Sequence, residues 1–144
     1  MTSTWLNLAN LVLADTGPLY ALADPSDQYH RRAVGELREL AKEGRVVSIA
    51  YPTLAECYTL VLRRLGRAYS GSWLDEVLDG FMLLNPEAGD YISACKRMAR
   101  FPDQPLTLFD TVAAVLSSRL EIPVWTYDRH FDLMGVQRWQ PTVR

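Results

Sequence analysis

Leu11-Val12-Leu13-Ala14-Asp15-Thr16-Gly17-Pro18 carries three signals in succession. The apolar run of four has the length of a buried strand, a carboxylate stands at its end, and Thr-Gly-Pro turns the chain into a helix. Downstream the chain breaks at Asp24-Pro25, and from Ser26 a helical stripe of Ala33, Val34, Leu37, Leu40 and Ala41 runs to Gly44, a C-terminal cap. A second strand, Val46 to Ile49, follows at once. Thr53 opens a helix with Leu54, Cys57, Tyr58, Val61, Leu62 and Leu65 on one face, closed by Gly66. A short helix around Trp73 to Leu78 leads to a strand at Phe81 to Leu84, and after Pro86 a helix covers Glu87 to Arg100. Thr107 starts a helix through Leu120 that is apolar all round at Val112 to Leu116, which predicts burial on every side. Strand Val124 to Thr126 is followed by Asp128, and Val136 to Trp139 forms a final edge strand. Strands alternating with helices predict an α/β fold whose mostly parallel sheet is covered on both faces.

The chain has 144 residues, of which 49% are hydrophobic, enough for one domain over residues 1–144 with a core that needs neither disulfide nor metal. Cys57 and Cys95 are far apart, without a CxxC pattern or neighbouring histidines, so no zinc site is signalled. The first thirty residues contain no Lys or Arg, and the apolar stretches Leu11 to Ala14 and Val112 to Leu116 are far shorter than a membrane span. The expectation is a cytoplasmic protein. Its 15 basic and 17 acidic residues give a formal net charge of −2, which offers no bulk positive field for a polynucleotide.

The arrangement of the acids changes that reading. Asp15 ends the first strand and Asp128 follows the Val124 strand, while Glu56 and Asp110 each lie three residues after the expected caps Thr53 and Thr107. In a parallel sheet the carboxyl ends of strands and the amino ends of the following helices share one edge, where ligands bind. Four carboxylates gathered there repel one another and must take up protons or share a cation. Oxygen donors without His or Cys suit Mg²⁺ or Mn²⁺, and phosphodiester hydrolysis is the chemistry such an ion supports. Simpler roles compete: Thr53 with Glu56 and Thr107 with Asp110 also read as capping boxes, and Asp15 and Asp128 as turn residues. Removing the four from the 17 acids leaves 13 against 15 basic residues, so the rest of the chain is +2 and the case against a polynucleotide lapses.

Leu-Ala-Asp15-Thr-Gly-Pro-Leu-Tyr-Ala-Leu, Thr-Leu-Ala-Glu56, Leu-Thr-Leu-Phe-Asp110-Thr and Thr126-Tyr-Asp128-Arg-His-Phe, in this order, resemble the motifs of PIN domains, particularly the small toxins of the VapC type. The resemblance implies a three-layer α/β/α sandwich and an Mg²⁺- or Mn²⁺-dependent endoribonuclease. It also implies a homodimer inhibited by a cognate antitoxin protein. By the family pattern Asp15, Glu56, Asp110 and Asp128 hold the metal, and the Thr126 hydroxyl supports the water and metal shell. Where the family commonly carries Ser two residues after the first acid, this chain has Gly17; a supporting hydroxyl there would have to come from Thr16, and that role is left unassigned.

Other features have plainer readings. His30 and His130 lie beside no nucleophile and read as surface residues, with His130 at the cleft border; Cys57 reads as a core thiol, and Asp132 as a turn or salt-bridge residue. Arg31-Arg32, Arg63-Arg64-Arg67 and Lys96-Arg97-Arg100 are solvated helix faces or an RNA track, and Arg129 is the most suggestive single cation. The Trp73 region covers the core or meets a partner. Two rivals remain: phosphoryl transfer through an aspartyl-phosphate at Asp15, for which a DxD pair is missing, and a non-catalytic RNA- or protein-binding module.

Overall fold

The computed structural model describes residues 8–142. Four strands, β1 (Leu11–Ala14), β2 (Val46–Ala50), β3 (Met82–Leu84) and β4 (Val124–Trp125), form one sheet in the order β3-β2-β1-β4, and every pairing is parallel. Helices α1 (Thr16–Ala23), α2 (His30–Lys42), α3 (Tyr51–Leu65), α4 (Arg67–Gly80), α5 (Ala88–Met98), α6 (Leu108–Leu120) and α7 (His130–Leu133) connect and follow them.

The pleat of β1 explains the layering, because successive side chains face opposite sides of a sheet. Val12 and Ala14 pack with residues of α1 to α4, including Leu19, Leu40, Cys57, Val61, Trp73 and Val77. Leu11 and Leu13 face the other way onto Ala113, Ala114 and Leu116 of α6 and Phe131 of α7. The result is the expected α/β/α sandwich, with β1 buried on both faces as its uninterrupted apolar run requires. The apolar α6 is buried from Thr111 through Ser117, and Trp73 and Val77 of α4 are core residues.

Several boundaries differ from the sequence reading, each for a local reason. Thr53 does not open α3. The helix leaves β2 without a loop, starting at Tyr51 with Pro52 in its first turn, and Thr53 is buried inside it. Proline fits there because the first helical amides have no intrahelical acceptor. The helix expected from Ser26 begins at His30; before it Asp24 accepts from the Ser26 amide (3.0 Å) and Asp27 from the Tyr29 amide (2.8 Å), which makes turns of that stretch. The short helix around Trp73 is the longer α4. Val136 to Trp139 is not a strand: it bridges the sheet only at Val124↔Arg138, since β4 is itself two residues long. Gly44 and Gly66 do close α2 and α3, with φ of 72° and 90° that glycine adopts without penalty.

Candidate active site

The parallel topology carries Asp15, Glu56, Asp110 and Asp128 to the carboxyl edge of the sheet. Asp15 leaves β1 and occupies the N-cap position of α1 in extended backbone, yet its side chain makes no capping bond to that helix. It is 5% exposed, and its carboxyl is pushed up to about 7 by burial first and by the charges of Asp110 and Asp128, against the Thr126 hydroxyl bond. Asp110 lies in the first turn of α6, where Thr107 caps as expected by accepting the Asp110 amide at 3.1 Å. Its carboxyl is pushed up to about 6, chiefly by burial, with Asp128 and Glu56 raising it and Thr107 and His130 opposing. Glu56 stands in the second turn of α3, so with Thr53 inside the helix its capping-box reading falls away.

Two threonines hold these acids. Thr126, 4% exposed, donates to Asp15 Oδ2 at 2.8 Å while its own oxygen accepts the Asp128 amide at 2.9 Å, so one hydroxyl fixes both the first and the last acid. Thr16 donates to Glu56 Oε1. A Cβ on Gly17 would lie 3.6 Å from the Tyr127 ring, an ordinary contact, so space does not demand glycine there and the hydroxyl of this turn comes from Thr16. Asp128 Oδ1 accepts the His130 amide at 2.9 Å and lies 3.0 Å from His130 Nδ1, which places His130 at the rim of the site and gives Asp128 its turn role as well. Among the described residues, no three His, Cys, Asp or Glu side chains converge tightly enough to form a ready-made metal cage. The four acids are a looser ring, joined by repulsion and by threonine bonds.

Sequence reasoning passes over Glu36. It sits on the buried stripe of α2 between Ala33 and Leu40, 7% exposed, and a carboxylate at a stripe position is the signal that could have found it. It accepts from Trp125 Nε1 at 3.3 Å and Tyr127 Oη at 2.5 Å, with Arg32 Nε at 3.4 Å, and the Arg32 guanidinium lies 4.3 Å from the Tyr127 ring centroid. Residues 125 to 128 therefore alternate: Trp125 and Tyr127 are clamped to α2, while Thr126 binds Asp15 and accepts the Asp128 amide. Glu36→Ala leaves the buried Trp125 donor and the half-buried Tyr127 hydroxyl unpaired and should destabilise the fold by about 2 kcal/mol. Glu36→Gln should recover part of that loss; an unfolding midpoint unmoved by Glu36→Ala would show the clamp contributes nothing.

The remaining candidates resolve simply. Cys57 is fully buried and its thiol is pushed up to about 12, by burial first and then by Glu56 and Asp15, so it is an inert core residue. His30 Nδ1 lies 2.7 Å from the Ala21 carbonyl and ties α2 to α1. Asp132 pairs with Arg138 at 2.8 Å. Arg32 and Arg64 lie over the rings of Tyr127 and Tyr20, whereas Arg63 and Arg129 are exposed and form no ion pair among the described residues.

The chain belongs to the PIN domain family, whose sequence model matches residues 12–136. Among solved structures it is similar to VapC20 of Mycobacterium tuberculosis, described as a sarcin-ricin loop cleaving toxin. That match has a TM-score of 0.78 and 20% identity, covering 90% of this chain and 99% of that one. It is also similar to VapBC2 of Rickettsia felis bound to a DNA fragment from its promoter, with a TM-score of 0.73, 14% identity, and 90% and 97% of the two chains covered. FitAcB of Neisseria gonorrhoeae matches with a TM-score of 0.64 and 21% identity, covering 90% and 97%. No curated protein matches the chain in sequence.

Proposed function

We propose that this chain is a divalent-metal-dependent endoribonuclease that hydrolyses RNA phosphodiester bonds as the toxin of a toxin–antitoxin pair. The observation that carries the reading is the set of four acids from four elements at one sheet edge, with buried Asp15 and half-buried Asp110 held far above the ordinary carboxylate range by burial and mutual repulsion. A structural cap or turn gains nothing from such repulsion, whereas a bound cation removes it. The donors are hard oxygens, which fit Mg²⁺ or Mn²⁺. Their loose spacing fits as well, because Mg²⁺ keeps several of its waters and takes only one or two carboxylates directly.

Asp15, Glu56, Asp110 and Asp128 would hold the ion, which when bound supplies charge stabilisation at a phosphoryl oxygen and a more acidic water. Thr126 keeps Asp15 and Asp128 in register, Thr16 keeps Glu56 in place, and Glu36 anchors the segment carrying Thr126. Arg129 and Arg63 at the rim draw the RNA backbone toward an otherwise repulsive edge. The description of VapC20 as a sarcin-ricin loop cleaving toxin supports the substrate class, and the likeness to VapBC2 and FitAcB supports a cognate antitoxin. A homodimer acting on RNA in the cytoplasm completes the reading. No helix among the described residues is long and apolar enough to cross a membrane.

Incubation of purified protein with RNA and Mn²⁺ should yield cleavage that EDTA abolishes and that Asp110→Asn reduces by at least about 100-fold. Cleavage in EDTA, or full activity of Asp110→Asn, would overturn the reading.

A further inference from the structure

A depression of about 280 Å³ adjoins the acidic edge, lined by Ala55, Glu56, Thr59, Leu60 and Arg63 of α3 and by Phe109 of α6. Glu56, Leu60 and Arg63 recur at helical spacing, so one stripe of α3 forms its wall. Thr59 turns its hydroxyl back onto the Ala55 carbonyl (3.0 Å), which leaves the middle of the depression apolar. Its ends are charged and opposite: Glu56, shared with the acidic ring, and seven residues or about 10 Å further along the helix, the exposed Arg63, which has no acidic partner among the described residues. Phe109, immediately before Asp110, is 39% exposed although the rest of α6 from Thr111 to Ser117 is buried.

We propose that this depression is a nucleotide subsite, in which the base of an unpaired RNA nucleotide stacks on Phe109 and the phosphate remote from the scissile bond pairs with Arg63; this rests on the ribonuclease reading. Every base offers a π-face to an aromatic ring, and an unpaired guanidinium matches a phosphate in charge and in its forked geometry. The strand then runs from Arg63 toward Glu56 and delivers its next phosphodiester to the carboxylates. The size favours a nucleotide over a protein segment, since a helix with side chains is about 10 Å across and would overfill a space that holds one ring system. A wholly apolar ligand would leave Arg63 without a partner.

The test measures binding of a short fluorescein-labelled single-stranded RNA by anisotropy with Mg²⁺ present, in an Asp128→Asn background so that the RNA survives. Phe109→Ala and Phe109→Leu should each weaken binding about 10-fold, while Phe109→Trp retains it; loss in the leucine variant separates stacking from apolar filling. Arg63→Ala should weaken binding several-fold and reduce the slope of log affinity against log salt by about one. An RNA of the same length with abasic riboses should bind equally well whether or not the protein carries Phe109→Ala. Equal affinity of Phe109→Ala for the normal RNA, with wild type still cleaving, would overturn the subsite and leave the ribonuclease reading standing. Wild type that neither binds nor cleaves would overturn both. A Phe109→Ala change in oligomeric state without a change in RNA affinity would assign the depression to a protein contact and overturn the proposal.

Discussion

Asp15→Asn should give a folded protein that is more stable than wild type at pH 8 without metal and that has lost RNA cleavage by about 10³-fold or more. The two halves of this expectation share one cause. The carboxyl is buried and faces Asp110 and Asp128, so its charge opposes folding. The amide of asparagine has nearly the same shape, keeps an oxygen to accept from Thr126, and carries no charge. Displacement from 3.8 to about 7 corresponds to on the order of 4 kcal/mol between the protonation states, so the variant's unfolding midpoint should rise by roughly 10 to 15 °C at pH 8 in EDTA. Residues that merely orient metal ligands cost about 10- to 100-fold when removed, and a direct oxygen donor in the most buried position should cost more. Thermal melts and a cleavage assay on the same preparation decide the matter. An Asp15→Asn protein that is both active and no more stable would show that Asp15 is a turn residue and nothing else.

The second large effect is a stability that falls as pH rises, the reverse of the usual acid denaturation, and that metal restores. Asp15 titrates near 3.8 in the unfolded chain and near 7 in the folded one. Between those values the folded state holds a proton that the unfolded state has lost, so unfolding free energy decreases with pH at up to about 1.4 kcal/mol per pH unit. Asp110, raised to about 6, acts in the same direction over the lower part of the window. The acid limit comes from groups of opposite sign. Buried Asp90, paired with Arg119 at 2.8 Å, has its carboxyl lowered chiefly by that bond, and its contribution disappears as pH falls below 3.8. The metal-free protein should therefore be most stable near pH 4 to 5 and lose stability toward pH 8. Mn²⁺ requires the ionised carboxylates, so it should raise the midpoint more at pH 8 than at pH 5. Melts that are flat between pH 5 and 8 in EDTA, or a metal effect independent of pH, would contradict the proposed coupling of the acids.

What could be read in the sequence follows the range over which each feature acts. β1, the cap at Thr107 and the buried α6 are local patterns of apolar period and turn chemistry, and they appear where expected. Thr53-x-x-Glu56 imitates a capping box and points to too late a start for α3, while Pro52 two residues after a strand is the stronger signal. Val136 to Trp139 has strand-like composition, but its pairing depends on the length of β4, which composition does not encode. The four acids could be assigned to one edge because parallel topology alone puts them there. The bonds from Thr16 to Glu56 and from Thr126 to Asp15, like the clamp from Glu36 to Trp125 and Tyr127, join residues 40 to 111 positions apart and required the folded chain.

The sheet order has a consequence for synthesis. β1, made first, lies at the centre and receives its last neighbour, β4, from residues 124–125, so Asp15 waits through 111 positions for the threonine that fixes it. A ribosome-bound chain that has reached α6 contains Asp15, Glu56 and Asp110 but lacks both Thr126 and Asp128. Contacts of such sequence separation form late because loop closure must precede them. On the proposed ribonuclease reading, strand order alone keeps the site incomplete on a growing chain until residues 126 and 128 have been made.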